Sequence, residues 1–247
     1  MSGAAARKPP QAETIEARLA ALDQAALTAR LDAQGYAVLP SLLNPADCRV
    51  LATLYDDEVR FRSRVVMARH GYGQGEYKYL AYPLPDLVAR LRGGLYERLA
   101  PIANRWNEAL RLEPRFPATH AAFLERCRRA GQTRPTPLLL RYGAGDYNRL
   151  HQDLYGENVF PMQATFLLSA PERDFSGGEF VLVEQRPRMQ SRAEIVPLGQ
   201  GDGVIFAVRH RPVQGPRGFH RVTLRHGVSR LRSGHRMTLG IIFHDAK

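Results

Sequence analysis

The chain contains 247 residues, of which 44% are hydrophobic and 24% charged, so it can bury a sizeable core and does not have the composition of a disordered protein. Lysine and arginine number 35 against 24 acidic residues. The resulting net charge of +11 indicates an anionic partner or substrate, such as nucleic acid or a phosphorylated small molecule.

The sequence has no run of 18 apolar residues and no secretory h-region, which argues against a membrane span and favours the cytoplasm. Cys48 and Cys127 are too few for a disulfide framework and are expected to be buried thiols.

The first half of the chain is predicted to be mainly helical. Residues 1–12 have no apolar period and are expected to be flexible. Apolar residues recur at helical spacing from Ala12 to Gln34, where Gly35 supplies a stop signal. After a short strand, Asn44 is a candidate N-cap for a helix that continues to about Val59. The segment from Ser63 to Pro85 is predicted to be a long loop with an edge strand. Two more helices are expected, at Pro85–Leu112 and Pro117–Ala130.

The second half changes character near Thr133, where short strand-like runs separated by turn signals begin. There are eight runs: Pro137–Tyr142, Arg149–Asp153, Met162–Ser169, Glu179–Glu184, Ala193–Leu198, Gly203–Val208, Arg221–Val228 and Arg236–His244. Eight short antiparallel strands after a helical block predict an α+β protein in which a jelly roll is supported by N-terminal helices. The expected organisation is one compact domain, with a mainly helical support region at residues 13–132 and a jelly-roll catalytic core at residues 133–247.

The tripeptide His151-Gln152-Asp153 is the main chemical signal. Residues i and i+2 of a strand point to the same face, so the imidazole and the carboxylate are expected to project together into the barrel. A second histidine from a distant strand would complete a triad of two histidines and one carboxylate. That triad leaves coordination positions open on iron.

The surroundings of this tripeptide carry a family resemblance. Upstream lies a strand with a tight turn, Tyr142-Gly143-Ala144-Gly145. Downstream lie two Gly-rich strand starts, Phe175-Ser176-Gly177-Gly178-Glu179-Phe180 and Gly201-Asp202-Gly203-Val204-Ile205-Phe206. The distal histidine, His226, is followed ten residues later by Arg236, with Gly234 two residues before the arginine. In these features the sequence resembles the iron(II)/2-oxoglutarate-dependent dioxygenase superfamily. The resemblance implies a double-stranded β-helix and a reaction that uses Fe(II), 2-oxoglutarate and O2.

The resemblance also implies roles for individual residues. His151, Asp153 and His226 would be the catalytic residues and would hold the metal. Arg236 would pair with the distal carboxylate of 2-oxoglutarate, with Tyr142 and Thr238 in the same pocket. A competing distal ligand is His220, which also has an arginine ten residues later. His226 is favoured because only its arginine follows a Gly-x dipeptide.

The substrate is less defined by the sequence. Eight arginines and no acidic residue lie between Arg209 and Arg236, around the distal ligand. The chain resembles a bacterial subgroup of the superfamily proposed to act on alkylated nucleic acid, which implies hydroxylation or oxidative demethylation, as in DNA repair. The alkylation-repair demethylases, however, carry a second arginine where this chain has Ile242. The alternatives are a protein or peptide side-chain hydroxylase of the prolyl-hydroxylase type and, in another class, a non-catalytic cupin-like binding module.

The segment from Phe61 to Tyr82 mixes basic and aromatic residues around three glycines. This composition suits a lid that closes over the metal and contacts an anionic substrate, with Arg69 and Lys78 as the residues to test. The other interpretation is an edge strand packed on the barrel, with solvated arginines. The position of the segment relative to His151 and His226 discriminates between the two.

Overall fold

The structure is a computed structural model that describes residues 13–113 and 115–247, so the whole segment predicted to be flexible, residues 1–12, lies outside the described residues. The helices are α1 Ile15–Ala20, α2 Gln24–Gln34, α3 Pro45–Thr53, α4 Asp86–Ala109 and α5 His120–Arg129. The strands are β1 Tyr36–Leu39, β2 Phe61–Val66, β3 Gly73–Gln74, β4 Glu76–Leu80, β5 Leu138–Tyr142, β6 Tyr147–His151, β7 Met162–Leu167, β8 Phe175–Gly177, β9 Phe180–Gln185, β10 Arg192–Val196, β11 Gly203–Ala207, β12 His210–Gly215, β13 Gly218–Val228, β14 Leu231–Gly234 and β15 Arg236–Ile242.

Two of the predicted N-terminal helices have different bounds in the structure. The single helix expected from Ala12 to Gln34 is divided into α1 and α2, because the Asp23 carboxylate accepts hydrogen bonds from two backbone N–H groups and caps a new helix. Gly35 ends α2 with a φ of 80°, as the stop signal predicted. Asn44 caps α3 as expected, but the helix ends at Thr53 and two short 3₁₀ turns follow.

Two antiparallel sheets face each other and form a double-stranded β-helix. The larger sheet has the order β1-β11-β7-β15-β5-β4-β2. The smaller has the order β10-β9-β13-β6-β3, with β12 also paired to β13. The eight predicted runs supply four strands to each sheet, so the jelly-roll prediction is confirmed. The runs did not include β8, β12 and β14, of which β8 and β14 form a separate two-stranded ribbon.

Alternation along β15 shows how the larger sheet separates the core from the site. Leu239 and Ile241 are fully buried in the cluster that contains the α4 side chains, whereas Arg236 and Thr238 line the cavity between the sheets. The helices therefore cover the outer face of this sheet and leave its inner face to the site. Within the described residues, no helix is long and apolar enough to cross a membrane.

The segment between Ser63 and Pro85, predicted to be a long loop with an edge strand, is mostly a hairpin. Strand β2 forms the edge of the larger sheet, so the edge strand is confirmed and the long loop is wrong. Strands β2 and β4 pair with each other, and β4 pairs with β5, so the hairpin extends the larger sheet. The three glycines suggested a loop, but Gly73 allows a close strand approach. A Cβ there would lie 2.2 Å from the carbonyl oxygen of Tyr147.

Candidate active site

A cavity of about 430 Å³ lies between the two sheets and contains three side chains with metal-binding atoms. The three residues are His151, Asp153 and His226, and their candidate ligand atoms all lie within 4.8 Å of one another. The His151 Nε2 is 3.6 Å from Asp153 Oδ1, and the His226 Nε2 is 3.4 Å from Asp153 Oδ2. The structure therefore brings together the three residues that the sequence singled out.

The pairing of β6 with β13 positions the two imidazoles. His151 and His226 are direct cross-strand partners, and their ring centroids are 4.2 Å apart. A bulge in β6 changes the register between this pair and Asn148, so Asn148 also reaches the cavity although it is three residues from His151. Strand β6 ends at His151. The prediction that Asp153 belongs to the same strand is therefore wrong, and the following loop delivers its carboxylate.

The surroundings of both imidazoles favour metal binding. The His151 Nδ1 lies 2.7 Å from the carbonyl oxygen of Arg149, and donation of its proton leaves the Nε2 lone pair towards Asp153. Burial lowers the pKa of His226, and the neighbouring His151 lowers it further, which favours the neutral form that binds a metal. Two imidazoles beside a carboxylate match the donor set of a two-histidine, one-carboxylate iron(II) centre.

Hydrogen bonds reach both oxygens of the Asp153 carboxylate. The Tyr155 hydroxyl donates to Oδ1 at 2.9 Å, and the Gln163 amide donates to Oδ2 at 2.9 Å. Burial raises the pKa of Asp153, but His226, His151 and the Gln163 amide outweigh it and hold this pKa well below its ordinary value. The sequence analysis did not identify Tyr155 or Gln163. The signal available for Gln163 was an amide side chain in the mostly apolar run of β7.

The competing histidine lies elsewhere. His220 is exposed on β13, where it pairs with Val213 of β12, and it is not part of the metal-binding cluster. Of the two candidates for the distal ligand, the structure brings only His226 to the other two residues.

Arg236 lies deeper in the same cavity and is 2% exposed. Its Nε and Nη1 atoms are buried and have no hydrogen-bond partner among the described residues, and burial lowers its pKa to about 10. The guanidinium lies over the ring of Tyr142, 5.6 Å from the centroid, and Tyr142 is its direct partner on β5. Thr238 occupies the next inward position of β15 and is also buried. Buried N–H donors without an acceptor fit an anionic group such as a carboxylate.

The Tyr142 hydroxyl has a second neighbour in the cavity. It accepts a long hydrogen bond of 3.4 Å from the side-chain amide of Asn148, and burial raises the Tyr142 pKa to about 12. The hydroxyl therefore keeps its proton and offers it to an acceptor beside Arg236. Asn148 was not identified from the sequence, because the bulge that turns it inwards breaks the two-residue alternation.

The hairpin predicted to be a lid borders the cavity with Tyr72, Tyr77 and Tyr79. Its basic residues do not share that position. Lys78 is 3% exposed and points to the other face of the sheet, where its ammonium donates to the Glu58 carboxylate at 2.6 Å. The expectation that Lys78 contacts an anionic substrate is therefore wrong, because residues 77, 78 and 79 alternate across β4.

Comparison with crystal structures gives the class of fold. The chain is similar to a prolyl-4-hydroxylase of Pseudomonas putida, with a TM-score of 0.54 and 15% identity over 91% of this chain and 100% of the other. It is similar to an oxidoreductase of the 2OG-Fe(II) oxygenase family from Burkholderia pseudomallei, with a TM-score of 0.50 and 16% identity over 92% and 93% of the two chains. The carbocyclase SnoK of nogalamycin biosynthesis has a TM-score of 0.51 and 15% identity, over 92% and 85%. The fold is that of the iron(II)/2-oxoglutarate oxygenases, enzymes whose cofactor and co-substrates are Fe(II), 2-oxoglutarate and O2.

Comparison of sequences gives the family. A model of the family Oxygenase-NA, described as an oxygenase catalysing oxidative methylation of damaged DNA, matches residues 75–246. The chain belongs to this family and is therefore an oxygenase. It is also 51% identical over 164 residues to an uncharacterised protein of Mycobacterium tuberculosis, found in strains CDC 1551 and H37Rv. The match covers 66% of this chain and 70% of that protein.

Proposed function

We propose that the protein is an iron(II)- and 2-oxoglutarate-dependent dioxygenase whose metal is held by His151, Asp153 and His226. Arg236 binds the distal carboxylate of 2-oxoglutarate, with Thr238 and Tyr142 beside it. The observation that supports this assignment most strongly is the Arg236 guanidinium, which has two buried nitrogens without a partner and lines the same cavity as the triad. A buried cation of this kind is costly unless an anion joins it, and a dicarboxylate chelated at the metal would supply one.

The chemistry that iron(II) and 2-oxoglutarate supply when bound is oxygen activation coupled to decarboxylation of 2-oxoglutarate to succinate and CO2. The protein's own residues position these groups. Tyr155 and Gln163 fix the Asp153 carboxylate from both oxygens. The Phe206 ring packs against the His226 imidazole at 4.6 Å between centroids, which keeps water from that side of the site.

The test of this assignment is turnover without added substrate. Purified protein supplied with Fe(II), 2-oxoglutarate and O2 is expected to form succinate slowly, and a chelator is expected to stop the reaction. His226→Ala is expected to abolish succinate formation, whereas the matched His220→Ala retains it. Loss in His220→Ala with retention in His226→Ala would overturn the ligand assignment. If 2-oxoglutarate neither binds to the iron-loaded protein nor is consumed by it, the proposed activity fails.

For the substrate, we propose a C–H bond of an alkylated nucleic acid, which the enzyme hydroxylates or oxidatively demethylates. The description of the family and the net charge of +11 support this class. The cavity has aromatic walls at Tyr72, Tyr77 and Tyr79, which suit a base taken out of its stack. The chain differs from the alkylation-repair demethylases at Ile242, where those enzymes carry a second arginine. Ile242 lines the cavity and gives it an apolar side chain at that position.

Stimulated turnover tests the substrate class. A single-stranded oligonucleotide carrying N-methylated bases is expected to increase succinate formation above the substrate-free rate and to lose its methyl group or gain an oxygen. The unmodified oligonucleotide of the same sequence is the control. Stimulation by proline-containing peptides, and not by methylated oligonucleotides, would instead identify a protein side-chain hydroxylase.

A further inference from the structure

The outer face of the smaller sheet carries exposed arginines on the strand that supplies His226. Residues alternate across β13, so Arg221 and Arg225 project outwards while His226 projects into the cavity. The two arginines lie about 13 Å apart at the strand rise of roughly 3.3 Å per residue. With Arg209 and Arg149, they form a surface that we name the arginine strip.

The arginines of the strip have no partner among the residues that the structure describes. Neither a side-chain hydrogen bond nor an ion pair involves Arg149, Arg209, Arg221 or Arg225, and all four are exposed. By contrast, Arg211 in the same segment is buried and donates to the Glu184 carboxylate at 2.5 Å. The arginines of the strip are therefore available to a ligand, whereas Arg211 serves the fold.

On strand β9, which pairs with β13, no acidic side chain shares the outward face of the strip. On the neighbouring strand β9, the residues directly opposite Thr223 and Arg225 are Gln185 and Val183, which share their outward face. The acidic residue of β9, Glu184, points inwards to Arg211. The positive potential is thus not cancelled locally, and an anion would meet little repulsion along the strip.

The strip adjoins the mouth of the cavity. The loop that follows His151 is held against β13, because the Gln152 amide donates to the Leu224 carbonyl at 2.7 Å. The N–H of the same Leu224 donates to the Arg209 carbonyl at 2.7 Å. Arg149, at the bulge of β6, lines the cavity itself. An extended ligand on the outer face therefore reaches the cavity over this loop.

Apolar side chains surround the mouth at the end of the strip. Leu150, Leu154 and Tyr72 line the cavity, yet they are 45%, 40% and 50% exposed. An exposed aromatic ring next to unpaired arginines is the combination by which proteins bind single-stranded nucleic acid, because bases stack on the ring and phosphates pair with the arginines. Tyr72 supplies that ring, and Leu150 and Leu154 add apolar contact surface beside it.

We propose that the arginine strip holds the backbone of a single-stranded nucleic acid whose target base enters the cavity past Leu150, Leu154 and Tyr72. This inference rests on the nucleic-acid substrate proposed above and adds the route by which the strand reaches the site. Arg221 and Arg225 bind phosphates on the outer face, and Arg149 binds a phosphate next to the entering base.

The experiment compares two double variants that lose the same charge. Arg221→Ala/Arg225→Ala removes the centre of the strip. The control Arg30→Ala/Arg49→Ala removes two exposed arginines of α2 and α3 that likewise have no side-chain partner. Binding of a fluorescent, unmodified single-stranded DNA is measured by anisotropy at several salt concentrations, and circular dichroism checks that both variants fold. The strip variant is expected to bind the DNA about tenfold more weakly. The slope of a plot of log K against log salt concentration is expected to become shallower by about 1.4, because each lost phosphate contact contributes roughly 0.7. The control is expected to keep the wild-type slope.

Several outcomes overturn the inference. Equal weakening of both double variants would show that only net charge matters. Tighter binding of a duplex than of the single strand, or competition by polyglutamate as effective as competition by single-stranded DNA, would assign the strip to another partner. Binding requires neither iron nor 2-oxoglutarate, so it is independent of turnover. If the DNA binds through the strip but methylated oligonucleotides never stimulate succinate formation, the strip is a nucleic-acid-binding surface and the proposal that the enzyme oxidises nucleic acid is wrong.

Discussion

The Tyr155 hydroxyl donates a hydrogen bond of 2.9 Å to Asp153 Oδ1, and Tyr79 in turn donates to the Tyr155 oxygen at 3.1 Å. Tyr79 is buried and Tyr155 is half-buried, and the two phenols connect the hairpin strand β4 to the carboxylate of the proposed metal centre. Burial and the nearby Asp153 raise the pKa of Tyr155 far above its ordinary value, so the hydroxyl remains a donor at every physiological pH. Because Gln163 holds the other oxygen, the carboxylate has little freedom to rotate.

Removing the Tyr155 hydroxyl tests whether this orientation matters. Tyr155→Phe is expected to lower iron affinity or turnover by about 10–100-fold, the usual effect of losing a hydrogen bond to a metal ligand. The measurement is an Fe(II) titration under anaerobic conditions together with kcat and KM for 2-oxoglutarate. A positioning role predicts that iron affinity falls while KM for 2-oxoglutarate changes little.

Tyr82→Phe is the matched control, because the Tyr82 hydroxyl also donates to a buried carboxylate, that of Asp245, at 2.9 Å. Asp245 pairs with Arg92 and is not part of the metal-binding cluster, so the control is expected to change stability and leave iron affinity unchanged. If both variants weakened iron binding equally, the effect of Tyr155→Phe would come from general loosening of the fold.

The three proposed ligands are expected to act as one unit. His151→Ala, Asp153→Ala and His226→Ala should each abolish iron-dependent succinate formation, since a facial triad loses its geometry with any member. The overall fold should persist, because each side chain lines the cavity and does not belong to the apolar cores. Far-ultraviolet circular dichroism and metal content after dialysis provide the check. A variant that folds and still holds iron would remove its residue from the ligand set.

The sequence predicted the core strands well because their apolar and turn patterns are local. It also singled out His151, Asp153 and His226 through the family resemblance, and the structure brings their side chains together. The stated reason for Asp153 was nevertheless wrong. The residue is not on β6, and it reaches the histidines through a loop.

The residues that the sequence did not predict depend on long-range geometry. Asn148 faces the cavity only because a bulge shifts the pairing of β6 with β13, and no local pattern marks that bulge. Tyr155 and Gln163 are recognisable only after the Asp153 carboxylate has been placed between them. Lys78 was assigned to a substrate-facing loop because nearby glycines suggested a turn, whereas strand pairing turns it towards Glu58.

Two buried histidines outside the site predict a pH dependence of stability. Burial, together with the positive charge of the neighbouring Arg92, lowers the pKa of His120 and of His244 to about 3. Between about pH 6.5, where an unfolded histidine titrates, and pH 3, the unfolded chain binds more protons than the folded one. Stability is therefore expected to fall as the pH decreases through this range, by roughly 1.4 kcal/mol per pH unit for each histidine.

The variant His120→Gln isolates one of these contributions. The amide keeps a donor for the Phe243 carbonyl, which lies 2.8 Å from His120 Nε2, but it does not titrate. Urea denaturation at pH 7, 6, 5 and 4 is expected to show a shallower loss of stability in the variant than in the wild type. Parallel curves would show that His120 does not contribute. The surface variant His220→Gln is the control and should leave the slope unchanged.

Arg236 is expected to lower the stability of the protein without 2-oxoglutarate and to raise it when 2-oxoglutarate is bound. Its Nε and Nη1 are buried without partners, a condition that costs about 1–3 kcal/mol for each unsatisfied group. Arg236→Met removes that charge, keeps most of the side-chain volume and is expected to raise the melting temperature of the protein without 2-oxoglutarate. The same variant loses a charge-assisted contact to the carboxylate, so 2-oxoglutarate binding should weaken by about 2–4 kcal/mol.

Thermal melting with and without 2-oxoglutarate, in the presence of a redox-inert divalent metal, separates the two effects. The wild type is expected to gain stability with increasing 2-oxoglutarate, and Arg236→Met is expected to gain almost none. Arg236→Lys should lie between them, because an ammonium keeps the charge but not the planar fork. Arg232→Met is the control, since its side chain is exposed and, among the described residues, pairs only with Glu179. If Arg236→Met gained the same stability from 2-oxoglutarate as the wild type, the co-substrate carboxylate would have to bind elsewhere.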